Sequence, residues 1–218
     1  MSLSINFPEV WRYLGYRGGA VPEGETARAI EAGAEQVLRA ARPRSVSTVV
    51  PVAFGEGNRL SLGSMEVESA ALRKNLTGCE EAVLFAATLG IEVDRLIARC
   101  CALDQVSRAA ICQAAAAALI ETYCDQVNDA LRQEAEGAGW YLRPRFSPGY
   151  GDFSITHQRE IAQLLRTAES IGLTVSESLM LLPAKSVTAV VGRSHVAAPC
   201  HRQGCEVCDQ IDCPFRRG

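Results

Sequence analysis

The chain has 218 residues, of which 48% are apolar, and its 22 Lys and Arg stand against 25 Asp and Glu for a formal net charge of -3. This composition excludes an intrinsically disordered protein, which would be poorer in apolar residues and more highly charged. The slight acidic excess argues against a nucleic-acid-binding protein that relies on a basic surface. Without an apolar run of 18 residues or a secretory signal, the sequence predicts a cytoplasmic protein that does not span a membrane.

The first half of the chain predicts helices and strands in irregular alternation. Pro22 and two glutamates open a helix whose last turn is basic, and these charges complement the helix dipole. The valine-rich segment after Pro43 indicates a strand. In order, we predict helices over 8–16 and 22–42, a strand over 45–54, a glycine-rich loop or hairpin over 55–63, a helix over 67–76, a buried strand over 81–88 and a helix opened by Gly90.

The segment 104–136 is the strongest predicted helix. Its consecutive alanines at 114–118 favour the helix and let another element approach closely. Apolar residues follow at helical spacing and form one stripe, which consists of Ile120, Cys124, Val127 and Leu131. A polar stripe runs one residue further on and consists of Glu121, Asp125, Asn128 and Arg132. On spacing alone, this polar stripe is a solvated helix face.

After this helix we predict a strand over 140–146, a turn over 147–151, a helix over 156–170 and a strand pair within 173–193 around Pro183. Because there is no regular βαβ alternation, the pattern favours an α+β fold with a mostly antiparallel twisted sheet and flanking helices. The composition changes near residue 197, so we divide the chain into an α+β domain over 1–196 and a cysteine-rich tail over 197–218.

The segment 143–152 carries candidate binding chemistry. Arg143 and Arg145 are two residues apart on the predicted strand and are expected to share a face. Pro148 and Gly149 predict a turn that leaves backbone N–H groups free and brings Tyr150 near the strand end. A guanidinium beside free amides suits a carboxylate ligand. The alternative is an ordinary strand and turn with solvated arginines.

Two motifs in this order resemble the activation domain of cobalamin-dependent methionine synthase. The first is R-F-S-P-G-Y at 145–150, and the second is G-L-T-V-S-E-S-L-M-L-L-P-A-K-S-V at 172–187. The segment E-T-Y-C-D at 121–125 resembles the glutamate-bearing helix of that family, and W-R-Y-L-G-Y at 11–16 resembles it more loosely. The resemblance covers most of residues 8–193 and is strongest to the free-standing form of the domain.

This resemblance implies an accessory protein that binds S-adenosylmethionine and covers the cobalamin of a methionine synthase or related corrinoid protein. There, oxidised cobalamin is reduced by one electron and trapped by methyl transfer from S-adenosylmethionine. The resemblance implies that Arg145 pairs with the methionine carboxylate, Glu121 with the α-ammonium and Tyr150 with the sulfonium, and that Gly149 belongs to the same binding element. The role is accessory to the methyltransferase, so whether the chain is itself an enzyme stays open.

The chain departs from the family pattern in three places. It has no match to the family's N-terminal aspartate or to its downstream tyrosine, and G-D-F-S at 151–154 replaces the family's P-A-C-P. These departures favour an alternative function, in which the chain is a non-catalytic module that caps a corrinoid protein. Such a module would have a structural metal tail and no S-adenosylmethionine.

The tail predicts a metal site. Its cysteines have the spacing C-x4-C-x2-C-x4-C and are Cys200, Cys205, Cys208 and Cys213. Four thiolates suit an iron–sulfur cluster or tetrahedral zinc, and the first three cysteines have the spacing of plant-type clusters. An iron–sulfur cluster, zinc and an empty reduced tail all stay open. The electron for cobalamin reduction would pass through a tail cluster or come from a flavodoxin or ferredoxin.

Overall fold

The structure is a computed structural model that describes residues 3–197. The predicted metal ligands Cys200, Cys205, Cys208 and Cys213 lie outside the described residues. The elements in chain order are α1 Phe7–Tyr13, α2 Gly24–Ala40, β1 Arg44–Phe54, β2 Arg59–Leu62, β3 Met65–Glu68, α3 Ala70–Asn75, β4 Glu81–Thr88, α4 Ile91–Ala102, α5 Val106–Gly137, β5 Tyr141–Leu142, α6 His157–Leu164, α7 Thr167–Ser170, β6 Thr174–Val175, β7 Leu181–Leu182 and β8 Ser186–Ser194.

Six strands form one sheet in the order β3-β2-β1-β4-β8-β5. Every strand pair in it is antiparallel, which confirms the predicted α+β fold with an antiparallel sheet. Strand β4 lies at the centre and pairs along its whole length with both β1 and β8. All of its residues after Glu81 are buried, because helices cover one face of the sheet and α3 and α6 cover the other.

The larger core lies between the sheet and α1, α2, α4 and α5. The alanines of α5 allow the close approach that the sequence predicts, and α2 contributes Gly33 to the contact. A Cβ atom on Gly33 would lie 2.5 Å from Ile111 Cγ2, so this position accepts no side chain unless the side chain of Ile111 moves. Burial raises the pKa of Cys112 to about 11 and of Cys124 to about 12, so both thiols stay neutral in this core.

The second core lies on the other face of the sheet and includes α3, α6 and the β2–β3 hairpin. The predicted helix over 67–76 is wrong at its start, because Val67 belongs to β3 and Ser69 caps the helix by accepting a hydrogen bond from the Leu72 amide. The predicted helix over 156–170 is divided at Arg166, whose φ of +49° is left-handed and breaks the helical hydrogen-bond pattern.

The predicted strand pair around Pro183 is divided between two sheets. Strands β6 and β7 form a small hairpin before Pro183, whereas β8 follows it and enters the large sheet. No helix within residues 3–197 combines the length and hydropathy needed to cross a bilayer.

The predicted strand over 140–146 is shorter than expected. The strand β5 ends at Leu142, and an isolated bridge joins Phe146 to Val190. The Arg143 amide donates to the carbonyl of Gly192, and the Phe146 amide donates to that of Val190. The chain advances three residues from Arg143 to Phe146, whereas β8 advances only two from Val190 to Gly192. This extra residue is a bulge at Pro144, which has no N–H to donate.

Candidate functional site

A cavity of about 430 Å³ lies beside the first half of β8, where the bulged segment leaves the sheet edge. Helix α5 supplies one wall, the 146–150 turn a second, and α6 with β7 a third. Three of the four predicted binding residues line this cavity, namely Glu121, Arg145 and Tyr150. The fourth, Gly149, lies in the turn between Pro148 and Tyr150.

Arg145 is the centre of the charged part of the site. Its Nη2 lies 2.9 Å from Asp125 Oδ1 and 3.5 Å from Glu121 Oε2. The second guanidinium nitrogen, Nη1, is buried and makes no hydrogen bond within the described part of the chain. The cluster therefore holds one guanidinium between two carboxylates and keeps a donor of Arg145 unused.

Asp125 is a site residue that the sequence pattern did not distinguish. It lies one helical turn after Glu121 on the polar stripe, so the signal was present in the spacing. The stripe indicated a solvated face, and only the position of Arg145 distinguishes Asp125 from the other polar residues on α5.

Arg143 does not join this cluster, and the prediction that it shares a face with Arg145 is wrong. Its Cγ packs at Gly192 beside Cys79, in the second core on the opposite side of the sheet. The bulge at Pro144 explains the divergence, because an inserted residue turns the following side chain to the other face.

The turn over 147–151 uses its own amides. The Gly149 amide donates to the Phe153 carbonyl at 2.7 Å, and the Tyr150 amide donates to the Ser147 carbonyl at 3.2 Å. The prediction that this turn leaves its N–H groups free is therefore wrong for these two residues. Gly149 has a φ of +96°, a conformation that favours glycine, and Tyr150 projects outward with 64% of its surface exposed.

Asp152 anchors this turn to α3. Its carboxylate accepts hydrogen bonds from the Ser69 hydroxyl at 2.5 Å and from the amides of Ala70 and Ala71 at 2.7 and 3.0 Å. These bonds lower the pKa of Asp152 below its usual value, and the bond from the Ser69 hydroxyl has the largest effect. The residue that departs from the family pattern at this position thus has a structural role, since it fixes the turn that carries Tyr150.

The wall opposite α5 is neutral and polar. Gln158 on α6 is buried and donates from Nε2 to the carbonyl of Leu179, which fixes the β6–β7 hairpin against the helix. The Ser186 hydroxyl donates to the Pro183 carbonyl at 2.7 Å. Phe146 and Leu181 complete this wall with apolar surface. The cavity thus combines a charged side and a neutral side.

This arrangement suits an amphiphilic ligand that carries both charges of an amino acid. A guanidinium recognises a carboxylate with paired hydrogen bonds, and carboxylates recognise an ammonium group. Within residues 3–197, no group of three His, Cys, Asp or Glu side chains is placed to hold a metal ion.

Comparisons with known proteins identify a family and a fold. The family model of the activation domain of vitamin B12-dependent methionine synthase matches residues 72–211, which include α5, the 145–150 turn and β8. A solved structure described as the MetH reactivation domain bound to AdoHcy is similar at a TM-score of 0.68, with 19% sequence identity over 89% of this chain and 75% of that chain. At that identity the likeness concerns the fold. No curated protein matches the chain.

Proposed function

The chain belongs to the activation-domain family of vitamin B12-dependent methionine synthase, and from this premise we propose that it binds S-adenosylmethionine in the cavity beside β8. It would restore the active cobalt state of a separate cobalamin-dependent methionine synthase or related corrinoid protein. The observation that carries the proposal is the guanidinium of Arg145 between Glu121 and Asp125 at the wall of that cavity.

The charges of the cluster support an amino-acid ligand. The unused Nη1 of Arg145 is a donor for the ligand's carboxylate. Glu121 holds Arg145 loosely, at 3.5 Å, so its carboxylate can turn to the ligand's ammonium group. Asp125, at 2.9 Å, would then keep the guanidinium in place. Binding of a zwitterion would thus replace the weak Arg145–Glu121 ion pair with two ion pairs, one from Arg145 to the ligand's carboxylate and one from Glu121 to its ammonium group.

The mouth of the cavity supports a macromolecular partner. Tyr150 lies there with its ring exposed, and a sulfonium beside the ring would gain about 0.5–2 kcal/mol from a cation–π contact. Further exposed apolar side chains come from segments next to the cavity: Ile155 lies beside Gly149, and Met180 and Leu182 flank the cavity-lining Leu181 along the chain. S-adenosylmethionine supplies an electrophilic methyl group, and this chain's part is to hold the sulfonium at the surface where the cobalamin of a docked partner can reach it. The apolar mouth would exclude water from the contact.

Binding and reactivation can be tested in two steps. Isothermal titration of the purified chain with S-adenosylmethionine should give one site. Addition of the chain to a cob(II)alamin-loaded methyltransferase, with reductant and S-adenosylmethionine, should then return the methylcobalamin spectrum. Omission of S-adenosylmethionine is the control and should leave the spectrum unchanged. A spectrum that stays that of cob(II)alamin in the complete mixture, although the ligand binds, would contradict the reactivation role.

A second function is favoured by one feature of the site. Arg145 already contacts two carboxylates, and a module that only caps a corrinoid protein would keep that arrangement without a ligand. The unmatched aspartate and tyrosine of the family pattern point the same way. The titration separates the two functions, because the capping module binds its corrinoid partner and gives no heat with S-adenosylmethionine.

We also propose that the tail cysteines hold a metal centre. The support is the spacing C-x4-C-x2-C-x4-C of Cys200, Cys205, Cys208 and Cys213, since four closely spaced thiolates are a common ligand set for iron–sulfur clusters and zinc. Anaerobic purification and metal analysis should give iron with visible absorbance for a cluster, or about one colourless zinc per chain. Replacing both Cys205 and Cys208 with serine should remove the metal, whereas replacing the exposed Cys101 should retain it. Metal-free protein after anaerobic purification would count against the proposal. A cluster would make the chain itself an electron carrier, whereas zinc would leave that task to a flavodoxin or ferredoxin.

A further inference from the structure

Thr188 carries a buried hydroxyl that the fold does not use. The residue lies on β8 with 2% of its surface exposed, and its Oγ1 has no hydrogen-bond partner among the described residues. Thr188 also lines the cavity beside β8. Buried hydroxyl groups in native proteins are nearly always hydrogen-bonded, so an unpaired one at a cavity wall indicates a partner that comes from the cavity.

The backbone N–H and C=O of Thr188 lie at the outer edge of β8, away from β4. Val190 exchanges both of its backbone hydrogen bonds with Phe146, each at 2.8 Å, so the N–H and C=O of Val190 point away from β4. Backbone groups alternate along a strand, and Thr188 is two residues before Val190, so its N–H and C=O face the same outer edge. Among the described residues no bridge continues from Phe146 toward Ser186. The hydroxyl, the N–H and the C=O of Thr188 therefore lie together at a free strand edge.

The two sides of the cavity suit the two halves of one ligand. Charged groups come from α5 and the bulge, whereas the opposite side consists of the neutral polar residues Thr188, Gln158 and Ser186 beside the apolar Phe146 and Leu181. A nucleoside has neutral hydrogen-bonding groups on an apolar ring system. If the charged side takes the amino-acid end, the neutral side is left for the nucleoside end.

We infer that Thr188 binds the adenosyl part of the ligand through its hydroxyl and the free edge of β8, and so sets the nucleoside specificity of the site. This inference rests on the proposed function, because it concerns the same cavity. Thr188 would then contact the ligand directly, although it belongs to neither the predicted binding residues nor the charged cluster.

Two substitutions and two ligands test the contact. Thr188→Val replaces the hydroxyl with a methyl group of similar size, whereas Thr188→Ser keeps the hydroxyl. The ligands are S-adenosylmethionine and 5′-methylthioadenosine, which lacks the amino-acid end. Thr188→Val should weaken binding of both by roughly 5–50-fold, and Thr188→Ser should stay within about threefold of the original chain. Because the hydroxyl has no partner in the protein, Thr188→Val should melt at the same temperature or higher.

The outcomes are distinguishable. Wild-type affinity of Thr188→Val for both ligands overturns the inference and leaves the proposed function intact. A loss for S-adenosylmethionine alone overturns the assignment to the adenosyl part, and an equal loss in Thr188→Ser shows that the hydroxyl is not the contact. If the original chain binds neither ligand, the proposed function and this inference fail together. Should Thr188→Val not fold, Thr188→Ala removes the same hydroxyl and takes the place of Thr188→Val in each comparison.

Discussion

Replacing Arg145 with Met should weaken the binding of S-adenosylmethionine by about 100-fold or more. The guanidinium is the cation at the charged wall of the cavity, and a charge-assisted hydrogen bond to a carboxylate contributes up to about 3 kcal/mol. The variant also removes the cation that Glu121 and Asp125 contact, so the wall that receives the carboxylate of the ligand becomes more negative. Isothermal titration measures the loss directly.

The same variant should bind 5′-methylthioadenosine within about threefold of the original affinity, because that ligand has no carboxylate for Arg145 to hold. The affinity of Arg145→Lys for S-adenosylmethionine should lie between those of the original chain and Arg145→Met, since lysine keeps the charge and loses the planar guanidinium. Arg95→Met is the matched control, as Arg95 is an exposed arginine on α4 paired with Glu92. Equal losses for both ligands would show that Arg145 supports the cavity as a whole and does not hold the amino-acid end.

Replacing Phe153 with Ala should lower the free energy of unfolding by about 3–5 kcal/mol, as expected for a large buried aromatic side chain. Phe153 is fully buried in the second core, and its ring lies 6.2 Å from that of Phe146 and 5.3 Å from that of His157. Its carbonyl accepts the Gly149 amide, so the residue also supports the turn that carries Tyr150. Urea unfolding followed by circular dichroism measures the change.

Phe54→Ala is the control for Phe153→Ala. Phe54 is 40% exposed near the end of β1 and contacts the guanidinium of Arg73, so its loss should cost about 1 kcal/mol or less. Similar losses at the two positions would mean that the turn residue is not part of a close-packed core. A second consequence is expected at the site, because a loosened turn should also reduce the affinity for S-adenosylmethionine.

The local sequence pattern was sufficient to predict those helices and strands that depend on their own residues alone. The apolar run of β4 and the alanine-rich α5 were both predicted close to their observed bounds, because burial and helix propensity are visible in a short window. The meeting of Arg145 with Glu121 followed from the family motifs, not from spacing. Asp125 lies on the predicted polar stripe, yet nothing local shows which member of that stripe faces an arginine.

The failures have a common physical origin in contacts between distant segments. The bulge at Pro144 is set by pairing with β8, and it moves Arg145 to a different face from Arg143. The amides of the 147–151 turn are used by Phe153 and Ser147, which the turn signal at Pro148 and Gly149 does not reveal. Sheet order is likewise a property of the whole chain, so the position of β8 between β4 and β5 lies beyond a window-based prediction.

The insertion of β8 between β4 and β5 has a kinetic consequence. Its side-chain contacts with β4 close loops of about a hundred residues: the Ser186–Thr88 hydrogen bond spans 98 residues and the Arg193–Glu81 ion pair spans 112. Closing such long loops costs conformational entropy, and contacts between distant segments slow the folding of a domain. Because β8 also forms one side of the cavity, no early intermediate made of α5 and β4 alone contains a complete binding site. Ligand affinity should therefore arise only after β8 has joined the sheet.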